Sequence, residues 1–187
     1  MTKTLVAILI LICNLSNAQT SYFPLAPGRT VSYAFGSEIY GGTPYENYKS
    51  EVTITETTET IGGKEYYVSE NKTGTTKDNQ TVIRSYFRYG TDGRLISKAD
   101  KTSDEIVVMN AAPKVGDTYS SQNNGTSKVV DLNATIKTPI STYTDCLAIE
   151  IVENQKTFKT YYKENIGLVA TTTFKDGKEV IFIYLEN

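Results

Sequence analysis

The sequence contains no histidine, and that absence removes most familiar catalytic chemistry at once. Ser/His/Asp hydrolysis, Cys/His catalysis, His-ligated zinc and the two-His-one-carboxylate iron site all need imidazole as base or ligand near neutral pH. Tryptophan is also missing, which takes away the strongest aromatic platform for stacking a sugar. Cysteine occurs only as Cys13 and Cys146. Basic residues never run beyond a pair, and the net charge is −2, so nothing clusters Lys and Arg as nucleic acid or an anionic membrane surface requires. No EF-hand spacing, P-loop or GxGxxG stretch is present, and no cofactor is implied.

The first residues carry the longest apolar run. Lys3 is followed by apolar residues from Leu5 to Leu15 and then by Ser16-Asn17-Ala18-Gln19. A basic start, a short apolar segment and a small-x-small ending are the parts of a secretory signal peptide, and the run is too short to span a bilayer. Residues 1–18 are therefore expected to be a signal peptide cleaved between Ala18 and Gln19, with residues 19–187 forming a single β domain. The alternatives are an uncleaved N-terminal anchor or a core strand. Cys13 follows Ile12 inside the apolar run, which does not suit lipid-anchor processing. Cleavage leaves Cys146 as the only thiol, so no internal disulfide can form and the core alone must hold the fold. The expected product is a soluble periplasmic or extracellular protein with no transmembrane span.

Helical periodicity is almost absent from the remainder. Val52 and Ile54 alternate with polar residues; 130–136 alternates with Asp131 and Asn133 outward; Leu147, Ile149 and Ile151 share one face. Period-two patterning of Val, Ile, Thr and Tyr predicts half-buried antiparallel strands. Gly62-Gly63, Asp92-Gly93 and Asp176-Gly177 separate such runs and accept the positive φ of tight hairpin turns, so neighbouring strands pair in a meander. Two polar stretches, 71–79 and 120–127, read as solvated connections, and 111–117 as a mid-domain crossover. The expected fold is all-β: nine or ten strands in one antiparallel meander, strongly curved or forming an incomplete barrel, with a two-sheet sandwich as the alternative.

Tyrosine is the abundant aromatic, with 14 residues. Its apolar ring and polar tip serve strand packing, ligand contact and interfaces alike. In the pairs Tyr66-Tyr67 and Tyr161-Tyr162 one ring should face inward and the other outward. Tyr86, Phe87, Tyr89, Tyr161 and Tyr162 are the candidate ligand-binding residues. Cys146 lies within a strand with no adjacent base and reads as a packed thiol. A carboxylate pair could hydrolyse glycosides without imidazole, but its defining separation is spatial. No catalytic or metal-binding residue is assigned.

Three segments then stand together: Tyr22-Phe23-Pro24-Leu25 with Gly28 and Tyr33, Pro113 to Tyr119, and Tyr161-Tyr162 with Gly167-Leu168-Val169. They resemble a broad group of uncharacterised bacterial exported and lipoprotein domains that open with "YFPL..G..W.Y" and close with "YYa.gvGlV". Val31 and Tyr119 stand where that group often carries Trp, and its lipid-anchor Cys is absent. The resemblance implies a curved antiparallel sheet of the kind seen in periplasmic lipoprotein carriers and, by analogy of fold, binding of an apolar ligand.

Two functions remain in view from the sequence: a non-enzymatic exported binding or scaffold domain enclosing a small apolar, lipid-like ligand, and a cell-envelope module contacting a protein or glycan through exposed Tyr and Thr strand faces. An outer-membrane barrel ranks last, because its lipid-facing row would have to be apolar.

Overall fold

Turn chemistry sets the frame. Gly62 and Gly63 have φ of 58° and 76°, and Asp176 and Gly177 have 50° and 74°. Positive φ at both central residues matches the twist of the flanking strands, so each pair closes a tight hairpin. Those hairpins belong to a computed structural model that describes residues 22–39, 49–74, 80–121 and 125–186. The expected leader and its cleavage site lie outside the described residues, as do the centres of the stretches 71–79 and 120–127.

The described residues form twelve strands: β1 (Thr30–Phe35), β2 (Lys49–Ile61), β3 (Lys64–Gly74), β4 (Gln80–Tyr89), β5 (Leu95–Lys98), β6 (Ile106–Met109), β7 (Thr118–Ser120), β8 (Thr126–Lys137), β9 (Thr142–Glu153), β10 (Lys156–Lys163), β11 (Gly167–Lys175) and β12 (Lys178–Leu185). They make one antiparallel sheet in the order β6-β5-β4-β3-β2-β1-β12-β11-β10-β9-β8-β7. Every strand pairs with its neighbours in sequence except across β6 and β7, and β12 returns to pair with β1 through Tyr33 opposite Leu185. The sheet is thus a nearly closed barrel-like meander, not a sandwich. Among the described residues no helix is long and apolar enough to cross a membrane.

The barrel stays open at one seam, between β6 and β7. The segment expected to be a mid-domain crossover is instead the short turn joining these two edges. There the Asn110 side-chain amide donates to Asp117 Oδ2 at 2.8 Å and the Lys114 backbone N–H to the same oxygen at 3.0 Å. The Tyr119 hydroxyl reaches Asp117 Oδ2, and the Asn110 N–H reaches the Tyr119 hydroxyl, both at 3.3 Å. Side chains therefore hold the edges where no backbone ladder does.

The interior is filled from both halves. Ile54, Leu95, Met109, Tyr119, Val129, Leu147 and Ile149 form one buried cluster with Leu25 from the segment before β1. Cys146 and Ala148, on the other face of β9, join a second cluster with Tyr33, Tyr161 and Val169. β9 is consequently covered on both faces over 146–149. On β8 the register slips between Val129 and Asp131, which puts both Lys128 and Asp131 in solvent on either side of the fully buried Val129. One extra residue in a strand moves the following side chains to the opposite face.

Candidate functional site

Period-two alternation on β1 to β4 aims one row of side chains into the concave interior. Register places Val31 opposite Val52, Val52 opposite Asn71 and Asn71 opposite Ile83. In the next row, Ile54 faces Ser69 and Ser69 faces Ser85, while the Ile54 N–H donates 2.9 Å to the carbonyl of Arg29. These rows floor a half-open cleft of about 270 Å³. Its far wall comes from the other half of the sheet, through Tyr162, Leu168 and Ile183.

The segment before β1 forms one rim. Phe23 stacks on Phe87 with ring centroids 4.8 Å apart, and the Tyr89 hydroxyl donates 2.7 Å to the Phe23 carbonyl. Pro24 rests against the β10–β11 turn: a Cβ on Gly167 would stand 3.3 Å from Pro24 Cδ, and Gly167 has φ of 94°. Glycine meets both demands, the left-handed backbone and the close approach. The Arg29 guanidinium donates to the Ile166 carbonyl, tying the segment to the same turn. Tyr33 donates to the Leu168 carbonyl at 3.2 Å, and burial pushes its phenol well above the usual tyrosine range.

The cleft is apolar with a polar stripe. Ser50 donates 2.7 Å to Asn71 Oδ1 and Thr73 donates 3.0 Å to the same oxygen, so the Asn71 carbonyl is satisfied within the sheet. No Asp or Glu among the described residues lines the walls. Among the described residues, no group of three or more His, Cys, Asp or Glu is placed to hold a metal.

Of the five residues singled out from sequence, Phe87 and Tyr162 line the cleft, and Tyr89 anchors its rim through Phe23. Tyr86 lies elsewhere, buried with Tyr66 and Val68 on the opposite face of β3 and β4. Tyr161 is buried in the second cluster, its hydroxyl 2.8 Å from Glu179 Oε1. In both tyrosine pairs the two rings pack against different clusters, Tyr67 and Tyr162 joining the first. Sequence reading missed Arg29, Ser69, Asn71 and Ser85. The signal available was their position on the alternation that carries Val31, Val52 and Ile54; only the apolar members drew notice.

A polar groove of about 640 Å³ runs beside the seam and brings Glu105 and Asp117 together with Arg94. Neither carboxyl is left protonated at neutral pH. Arg88, 2.7 Å away, with Lys64 at 2.8 Å and the Tyr66 hydroxyl, holds Glu105 far below the usual carboxylate range. Asn110 and the Lys114 N–H lower Asp117.

No protein-family model and no curated protein matches the sequence. Two solved structures share the fold. One, from Bacteroides fragilis, is described as an exported protein with a YmcC-like fold; it superposes with a TM-score of 0.54 at 13% identity, over 88% of this chain and 97% of the other. The second, described as a lipoprotein of Parabacteroides distasonis, gives a TM-score of 0.52 at 14% identity, over 90% and 98% of the two chains. The likeness extends over nearly the whole of both neighbours, and it shows that this chain has their β-barrel-like fold.

Proposed function

We propose that the protein is an exported, non-enzymatic binding domain whose concave cleft encloses a small apolar ligand. The observation that carries this reading is the cleft itself: a half-open, apolar-walled space of about 270 Å³ bounded by both halves of the sheet and by Phe23. Ligand sites are characteristically concave and apolar with a few polar groups that fix orientation. Export rests on the expected signal peptide and on the descriptions of the two structural neighbours.

The other readings find less support. Every described tyrosine is buried or half-buried, so no exposed tyrosine face is found among the described residues. Glycoside hydrolysis by a carboxylate pair needs one acid that keeps its proton, whereas Glu105 and Asp117 are both shifted the opposite way. A lipid-facing barrel wall is at odds with the exposed Lys128, Asp131 and Asn133 on β8.

Native mass spectrometry of the protein purified from its own source, followed by denaturing extraction, tests the proposal. A near-stoichiometric apolar molecule is expected in the wild type and absent from Val52→Phe, which fills the cleft. A ligand-free wild type that also fails to take up hydrophobic probes overturns it.

A further inference from the structure

Arg29 is the charged feature among the described residues of the cleft, and a purely apolar ligand does not explain it. Its guanidinium lines the space, and its hydrogen bond goes to a neutral carbonyl, that of Ile166. Among the described residues no carboxylate stands within ion-pair distance of it, although Arg84, Arg88 and Arg94 each have one. A guanidinium presents five donors in a planar fork, and one carbonyl leaves most of them unused.

The neighbouring hydroxyls point to the same chemistry. The row that begins at Arg29 continues through Ile54 to Ser69 and Ser85. Ser69 is buried, both serines line the cleft, and neither side chain has a hydrogen-bond partner among the described residues. The Asn71 carbonyl is already engaged by Ser50 and Thr73, so its amide offers only N–H donors. A cation beside β1 and polar donors on β3 and β4, among Val31, Val52, Phe87 and Leu168, make an amphipathic container.

We propose that the ligand is a single-chain amphiphile with a carboxylate head, the head held by Arg29 and the chain lying against the apolar walls. This rests on the binding function proposed above and specifies its ligand. At ~30 Å³ for each water-sized group, 270 Å³ corresponds to about nine such groups, the scale of one medium-length acyl chain.

The test is calorimetric titration of the full protein with decanoate and with decanol, repeated on Arg29→Gln and Arg29→Lys. Decanoate is expected to bind the wild type on the order of tenfold more tightly than decanol, the scale of a charge-assisted contact. Arg29→Gln should abolish that preference by weakening decanoate more than decanol, and Arg29→Lys should restore part of it. Lowering the pH until the carboxylate is protonated should erase the preference in the wild type. Equal affinities for the two ligands in the wild type overturn the carboxylate head and leave the apolar cleft standing. Binding of neither overturns the binding function itself. Should Arg29→Gln melt early, the wild-type comparison and its pH dependence still decide the question.

Discussion

Glu105 shows how far one side chain depends on its surroundings. The loop between β5 and β6 carries it over the outer face of β3 and β4, where Lys64, Tyr66 and Arg88 converge on its carboxylate. The Arg88 hydrogen bond is the largest cause of its depressed pKa, with Lys64 and Tyr66 adding to it against the opposing effect of burial. A carboxyl whose folded pKa lies below its unfolded value binds its proton more tightly in the unfolded chain. Its stabilisation is therefore complete above the ordinary value of 4.5 and is lost as pH falls through the folded one. Urea unfolding at pH 7 and pH 3 should show a smaller loss on acidification for Glu105→Gln than for the wild type. An identical loss in both would mean that Glu105 is not linked to folding. Cys146 is the converse case: wholly buried, with its thiol pushed up by burial, it packs between strands as its sequence context implied.

At the scale of elements, the turns decide what was legible. Gly93 marks the longer β4–β5 connection, 90–94, and the two-residue turns Gly62-Gly63 and Asp176-Gly177 could be read directly because glycine announces positive φ. The β9–β10 turn has the same geometry, φ of 48° and 62°, but builds it from Asn154 and Gln155, so it carried no such mark. Left-handed backbone costs a residue with a Cβ roughly 1–2 kcal/mol, partly offset in glycine by its greater freedom when unfolded. Gln155→Gly is accordingly expected to raise stability by up to ~1 kcal/mol, seen as a higher midpoint in thermal unfolding. A lower midpoint would show that the Gln155 side chain contributes something its exposure hides. The strand number fell short for a related reason. β6 and β7 have four and three residues, too few for alternation to register. The cleft was half legible. Phe87 and Tyr162 stood out as aromatics on strands, whereas Arg29 and Ser69 acquire meaning only once register sets them in one row.

For the molecule as a whole, the informative feature is where the barrel is not closed. A meander whose last strand pairs with its first removes the edges that an open sheet would expose. Here the β1–β12 pairing does so on one side, and the remaining gap falls between two of the three shortest strands. Backbone groups along that seam lack a ladder partner across it, and the closure rests on Asp117, which gathers Asn110, the Lys114 N–H and Tyr119 on a single oxygen. Removing the shared acceptor leaves its donors without a protein partner. Asp117→Ala should therefore lower stability, and it should do so unevenly. Native-state hydrogen exchange is expected to speed up in β6 and β7 first, while the long β8–β9 and β2–β3 hairpins keep their protection, because local opening follows the weakest set of contacts. Uniform acceleration across all strands would place the weakest boundary elsewhere and make Asp117 one polar contact among many. Acceleration confined to the seam would identify it as the hinge of the barrel. It would also separate that hinge from the cleft, whose walls come from β1 to β4 and from β10 to β12 and include neither seam strand.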